Sequence, residues 1–448
     1  GVVDLLADLG YDYDPYNGTP MDVGYITSSS PPIVVNGTVV VGNSHEQGYS
    51  QSRIENVPGH ILAYDAETGE HKWKFNVIPQ SESEFGFDTW ENEAWQWTGD
   101  VSSWAPLSAD LDRGIVYIPT NAPTIDYYGG FRPGNNLFGT STIALDVETG
   151  QRVWHFQTVH HPIWNYDLPN VPILADVNIG GQEVPIAVQT TKQGMTFVFN
   201  RETGDPVWPI EERAVPQSIV PGEQLAPTQP FTTRPAPLNP LGLSEDQLID
   251  FTPELRQEAI EIMNQYRVGG PYMPPLPNNH SETVKGWIGC SGGLNITHPA
   301  VLDPETGYLY QSSGPGCSGR TVQPGADVDG DTHNCTADSG ECTTTGSTIS
   351  DWVQGGGVGW SGPQGLPIHK PPYSKITAID LNTGDHAWET AVGSAPDRIT
   401  RHPALRDLDL SNVSGVGRAV MMASKSLLFA TEGANGPAVL NAHDKTTG

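Results

Sequence analysis

The chain has 448 residues, of which 22 are basic and 52 acidic, for a net charge of −30. A field of that sign repels nucleic acid, which proteins hold by neutralising phosphates, and no apolar run approaches the roughly 18 residues that cross a bilayer as a helix. With 12 Trp, 15 Tyr and 11 Phe the chain holds too much core material to be disordered, and its 50 Gly and 39 Pro predict many turns between short elements.

In chain order, the first strands are predicted in PPIVVNGTVVVGN from Pro31, followed by the phrase AYDAETGEHKW from Ala63. The phrase recurs as ALDVETGQRVW from Ala144, VFNRETGDPVW from Val198 and AIDLNTGDHAW from Ala378, with a fainter NAHDKTTG from Asn441. Each copy reads as strand, tight turn, strand: the Asp or Asn caps the turn, the Gly takes positive φ, and the Trp docks on a neighbour. Alternating apolar strands precede the copies, as in WAPLSADLDRGIVYIP from Trp104, VPIAVQTTKQGMTFVF from Val184 and HPAVLDPETGYLYQ from His298. Five units result, near 25–78, 101–157, 170–210, 295–390 and 415–448. Roughly four strands per unit at this period mean an all-β propeller. The whole of 1–448 then reads as one propeller domain whose last unit lacks a final strand, so that the ring does not close within it.

Two stretches interrupt the pattern. Residues 211–285 are Pro-rich and then helical: Ser244 with Gln247 caps one turn, and Thr252–Pro253 opens a helix with Leu255, Ala259, Ile262, Met263 and Tyr266 on one face. Residues 313–365 are rich in Gly, Ser and Thr and hold three of the four cysteines, Cys290, Cys317, Cys335 and Cys342. An even, clustered set without CxxC spacing points to local disulfides and an oxidising compartment, with three pairings open. The acidic DVDGD from Asp327 lacks the Gly and Glu of a Ca²⁺ loop, and no CxxCH haem signature occurs.

The blocks SSWAPLSADLDRGIVYIPT, VWHFQTVHHPIWNYDLPNVPILADV and QTTKQGMTFVFNRETG stand in an order and spacing that resembles the pyrroloquinoline-quinone (PQQ) dehydrogenases. The likeness is greatest to the membrane-type glucose dehydrogenase branch, and SAPDRITRHPALRDLDL resembles a later part of the same family. The resemblance implies an eight-bladed propeller, about five of whose four-stranded blades are present, with PQQ lying across the axis and Ca²⁺ beside it. It implies Trp104 as the aromatic floor of the cofactor and Lys192 as the cation on its quinone oxygens. Glu46, Thr124 and the neighbouring Asn121 stand where metal ligands are expected, Thr124 also beside the cofactor, and Asn295 resembles a cofactor-contacting Asn.

One departure concerns the base. The family's proton-abstracting Asp follows the Trp of the HH block, and here Trp164 is followed by Asn165, whose amide cannot accept a proton. Asp167 shares a face with it if the segment is extended, although the family carries an Asp there too; another carboxylate, a water or the reduced quinone can take the proton, and His160 and His161 can also hold one. The expected reaction is oxidation of a sugar or alcohol hydroxyl, with electrons passing to a quinone in a periplasmic or periplasm-facing location, and membrane association supplied by a segment outside this chain. The competing expectation is a non-catalytic propeller of the same build acting as a periplasmic binding or assembly scaffold.

Overall fold

The computed structural model describes residues 2–10, 30–43, 54, 56, 58–292, 299–327, 349–410, 413–415, 419–432 and 437–448. The alternating apolar runs form antiparallel meanders. Strands β1 (Ile33–Val35), β2 (Thr38–Gly42), β3 (His60–Asp65) and β4 (His71–Asn76) make the first sheet, in chain order. The second repeats it with β5 (Ser108–Asp110), β6 (Ile115–Pro119), β7 (Ser141–Asp146) and β8 (Arg152–Gln157). The third has β9 (Ile173–Ile179), β10 (Gln182–Thr190) and β11 (Thr196–Asn200). Its predicted fourth strand is reduced to one bridge, Phe199 to Pro206, because a proline has no N–H to continue the ladder.

Next come the hairpin β12 (Ile210–Ala214) and β13 (Thr228–Thr232), then β14 (Arg267–Gly269), β15 (Leu276–Pro277) and β16 (Trp287–Ser291). Strands β17 (Val301–Asp303) and β18 (Tyr308–Ser313) precede β19 (Gly316–Ser318), β20 (Arg320–Pro324) and β21 (Trp352–Gly357). Strands β22 (Lys375–Asp380) and β23 (Asp385–Ala391) then join β17 and β18 in a four-stranded sheet. The last sheet is β24 (Met421–Ala423), β25 (Leu427–Thr431) and β26 (Leu440–Asp444).

The sheets pack face on face through successive apolar layers. Ile61, Ala63 and Trp73 of the first meet Val116, Ile118, Ile143 and Leu145 of the second. Tyr117, Ala144 and Trp154 then meet Ala187, Phe197 and Phe199 of the third, and Ile186, Val188 and Val198 meet Leu309, Ile379 and Leu381 of the next. Tyr310, Ile376 and Ala378 close the series on Met421, Leu428 and Ala430. Sheets stacked in sequence order, each a meander, are the architecture of a propeller.

The recurring phrase makes the joint between neighbours. Trp73 Nε1 donates to the Val147 carbonyl at 2.8 Å, Trp154 Nε1 to Arg201 at 2.9 Å and Trp388 Nε1 to Lys445 at 3.3 Å. In each case the acceptor follows the Asp or Asn of the next copy of the phrase. Tyr117 and Tyr310 add hydroxyl bonds to the same carbonyls of Arg201 and Lys445, both at 2.9 Å. The phrase's Gly lies against the docked indole: at Gly204, with φ 78°, a Cβ would overlap the Trp154 ring. Gly150, Gly384 and Gly448 hold the same place against Trp73, Trp208 and Trp388. Buried ion pairs reinforce two joints, Arg201 to Asp110 at 2.7 Å and Lys445 to Asp303 at 2.7 Å.

The insertions differ from expectation in part. The capping box at Ser244 and Gln247 is present, but it opens only a short 3₁₀ turn, and the helix runs Pro253–Met263 with the Thr252 hydroxyl accepting from Leu255 N at 3.2 Å. Leu255 and Ala259 are its buried residues and pack with Leu366, Ile368 and Leu405, while Tyr266 lies beyond the helix end. The 211–285 stretch also contains β structure, the β12–β13 hairpin among it, because Thr228–Thr232 pairs back on Ile210–Ala214. Cys290 and Cys317, opposite each other across β16 and β19, form a disulfide, whereas Cys335 and Cys342 lie outside the described residues.

Candidate functional site

The strand registers separate two rims. The TG turns, at 65–70, 146–151 and 200–205, sit at one end of their sheets. At the other end hang the connection into β5, which carries Trp104, and the segment after β6, which carries Asn121, Thr124 and Asp126. The long β8–β9 connection, with the HH block and Asn165, and the β10–β11 turn, with Lys192, leave from that same end.

Lys192 is the centre of the cluster. Its Nζ donates to the Asn165 carbonyl at 2.9 Å, to Asn165 Oδ1 at 2.9 Å and to Asp167 Oδ2 at 3.1 Å. It also lies 5.7 Å from the centroid of the Trp104 ring, within cation–π range, and the indole N–H donates to Asp167 Oδ2 at 3.3 Å. The turn that holds Lys192 needs a glycine at Gly194, where φ is 80° and a Cβ would strike the backbone of Gly292. Asp167 Oδ1 receives the Ala122 N–H at 2.8 Å, which ties Asn121 and its neighbour to the cluster. Burial alone would raise the Asp167 carboxyl, but the Lys192 ammonium, the Ala122 N–H and the Trp104 indole together hold it below its ordinary value.

Asn165 and Asp167 do not share a strand face. The segment is irregular and Asn165 takes the left-handed region at φ 54°, which a short polar side chain tolerates. That turn lets Asn165 offer both oxygens to Lys192 while its Nδ2 donates to Asp126 Oδ2 at 2.6 Å. Asp126, in NAPTIDYYGG, is the residue that reading the sequence missed. The residue is 4% exposed, and burial, then the negative charge of Asp167, push its carboxyl well above the ordinary carboxylate value. Its position two residues beyond Thr124 was visible, but nothing in the spacing says that a loop folds it back on Asn165.

The other predicted residues divide. Asn121 Nδ2 reaches Asp100 Oδ1 at 3.3 Å beside the cluster. Thr124 is fully buried, its hydroxyl bonded to the Gly99 carbonyl at 3.4 Å, and none of its hydrogen bonds reaches Lys192 or Asp167. Glu46 and Asn295 lie outside the described residues. His161 is a buried brace, with Nδ1 2.8 Å from the Gly134 carbonyl and Nε2 2.8 Å from Glu223 Oε1, and His160 spans Gln157 and Glu212. The loop carrying Asp126 is braced in turn by Arg132, wholly buried, whose guanidinium collects the carbonyls of Pro123, Thr124, Ile125 and Pro162.

A flat indole beside a cation suits a planar anionic ring such as PQQ, because the ring can stack on Trp104 while Lys192 neutralises it. Carboxylate and amide oxygens from Asp100, Asn121 and Asp167 are the donors a hard cation such as Ca²⁺ takes. Among the described residues no group of three His, Cys, Asp or Glu side chains is arranged as a metal site, so amide oxygens would have to complete the set. Among those residues, too, no helix is long and apolar enough to cross a membrane.

Residues 1–448 match the family described as PQQ: glucose/ethanol/alcohol dehydrogenase, beta-propeller domain. The glycerol dehydrogenase large subunit of Gluconobacter oxydans (strain 621H) is 32% identical over 409 residues, covering 88% of this chain and 52% of that protein. The quinoprotein glucose dehydrogenase of Escherichia coli (strain K12) is 29% identical over 390 residues, covering 84% of this chain and 46% of its own. The chain thus spans about half the length of the curated relatives it matches. The crystal structure of quinohemoprotein alcohol dehydrogenase from Comamonas testosteroni superposes with a TM-score of 0.52 at 20% identity, over 95% of this chain and 54% of that one, a likeness of fold.

Proposed function

The chain belongs to the PQQ-dependent glucose/ethanol/alcohol dehydrogenase family by its β-propeller domain, and from that membership we propose that it is the cofactor-binding part of a dehydrogenase that oxidises a sugar or alcohol hydroxyl. The observation that carries the reading is the convergence of Trp104, Asn165 and Asp167 on the Lys192 ammonium, the four residues being carried by three separate connections. The complete propeller has eight blades, five of which are the meanders described above, and its electrons pass to a quinone on the periplasmic side.

PQQ, when bound, would supply a hydride-accepting carbonyl, and Ca²⁺ would supply Lewis acidity. Trp104 would floor the ring and Lys192 would hold its quinone oxygens, with Asn295 as a further contact. Glu46, Asn121 and Asp167 would take the metal; Thr124, buried and bonded to Gly99, would support that loop. Asn165 fills the family's base position but only donates and accepts hydrogen bonds there. The proton of the substrate hydroxyl goes to Asp126, the carboxylate that the Asn165 amide holds at 2.6 Å. An Asp at 165 would face Asp126 at that distance, so the amide and the carboxylate form a matched pair whose order is reversed from the expected one.

The test uses the full-length parent protein titrated with PQQ and Ca²⁺, following Trp fluorescence and dye reduction with glucose, glycerol and simple alcohols. Saturable quenching with turnover supports the reading. Quenching without turnover on any substrate would leave a cofactor-binding scaffold, and absence of quenching would remove the cofactor assignment. D126N is expected to lower dye reduction by roughly 10²-fold or more while leaving quenching in place. Activity partly restored in the D126N/N165D exchange would place the proton acceptor in this pair.

A further inference from the structure

A cavity of about 110 Å³ is lined by chain neighbours of the Asp126–Asn165 pair. Its walls include Tyr127, the residue after Asp126, together with Trp164 and Tyr166, which flank Asn165. Two of these walls are tied to a third: Trp164 Nε1 donates to the Met273 carbonyl at 2.9 Å, and the Tyr166 hydroxyl donates to the Pro271 carbonyl at 2.7 Å. Pro271, Met273 and Pro275 line the cavity as well.

The insertion that begins after β18 closes the remaining side. Ser318, Gly319 and Arg320 line the cavity, and the Arg320 guanidinium leans on the Tyr127 ring with its Cζ 5.6 Å from the centroid. Among the described residues no carboxylate pairs with Arg320. The guanidinium shares a hydrogen bond with the Tyr127 hydroxyl, and the remaining N–H donors of its planar fork are left for a ligand in a small polar cavity; such a fork matches a carboxylate bidentately.

We infer that Arg320 selects substrates that carry a carboxylate, so that the compound oxidised in this cavity is a hydroxy acid rather than a neutral polyol. The inference rests on the dehydrogenase reading above and names the substrate class of that site. Tyr127, Trp164 and Tyr166 would hold the carbon skeleton, and Arg320 would fix the end remote from the hydroxyl presented to Asp126. A point of attachment at one end orients the hydroxyl at the other, which is how remote binding contributes to rate.

The experiment compares D-gluconate with D-sorbitol, six-carbon polyols that differ in one terminal carboxylate, using the full-length protein loaded with PQQ and Ca²⁺. Two readouts are taken on wild type, R320Q and R320K: kcat/KM by dye reduction, and the shift in Tm caused by millimolar D-gluconate. The expected result is a loss of roughly tenfold or more in kcat/KM for D-gluconate in R320Q, with sorbitol changed by less than about threefold and the gluconate Tm shift lost. R320K should recover part of both, since it keeps the charge without the fork. Equal losses for both polyols, or a weakened PQQ quenching curve in R320Q, would overturn the inference and assign Arg320 to the cofactor's own carboxylates. Turnover of sorbitol with no gluconate shift in the wild type would also overturn it. A gluconate shift that depends on Arg320, without turnover of either compound or of glucose, glycerol and simple alcohols, would uphold the carboxylate site and reject the dehydrogenase reading.

Discussion

A single buried guanidinium shows how the site is kept in shape. Arg132 satisfies four carbonyls on two segments, Pro123 to Ile125 and Pro162, which lead to Asp126 and to Asn165 respectively. Burial lowers it to about 10, so it stays charged at neutral pH. Its replacement by Met keeps the bulk but orphans those carbonyls, and R132M should lose on the order of 3 kcal/mol in urea unfolding. The same residue-level view explains what the sequence concealed. Trp104, Asn165, Asp167 and Lys192 each stood in a readable block, and the fold brings them within contact of one another. Asp126 stood beside Thr124 without a signal of its own, because its place depends on a left-handed turn at Asn165 and on a brace 30 residues from the Pro162 carbonyl it binds. Neither has a local signature in the sequence.

At the scale of elements, the recurring phrase was legible because each of its parts has a local physical cause. The Asp65 side chain accepts the N–H groups of Glu67 and Thr68 at 3.0 and 2.8 Å, and Asp146 repeats this on Glu148 and Thr149. The joint itself predicts a graded response. W154F keeps an aromatic plug but loses the bond to Arg201, which should cost about 1 kcal/mol, whereas G204A adds both strain and overlap and should cost more. Differential scanning of the two variants orders them. The ion pairs at the joints predict a pH dependence. Burial would raise Asp303, but Lys445, Thr306 and the Glu305 N–H hold it below its ordinary value. A depressed carboxyl stabilises the fold above the unfolded value and loses that contribution as pH falls through the folded one. The Tm difference between wild type and D303N should therefore be full at pH 6 and shrink below about pH 4. What remained illegible at this scale was the inside of 211–285, where the pairing of β12 with β13 follows from contacts across a loop rather than from periodicity.

For the molecule as a whole, charge is the dominant fact. At −30 the chain repels itself and repels an anionic cofactor alike. Added salt should raise Tm, and stopped-flow quenching should show PQQ associating faster as ionic strength rises, the reverse of a steered encounter. A rate that falls with salt would locate an attractive field at the mouth of the site strong enough to overcome the net charge. The stack of meanders was legible from five copies of a short phrase, whereas the site needed three connections to meet at one rim. The joints at the opposite rim carry a consequence for how such a chain can drift. Each docked indole recognises a main-chain oxygen, and that oxygen belongs to Val147, to Arg201 and to Lys445 in turn. Because no side-chain identity is read there, the position is a free letter within an otherwise spelled word. The chain has used that freedom twice to add a cation that grips the preceding sheet, and once to leave a plain valine.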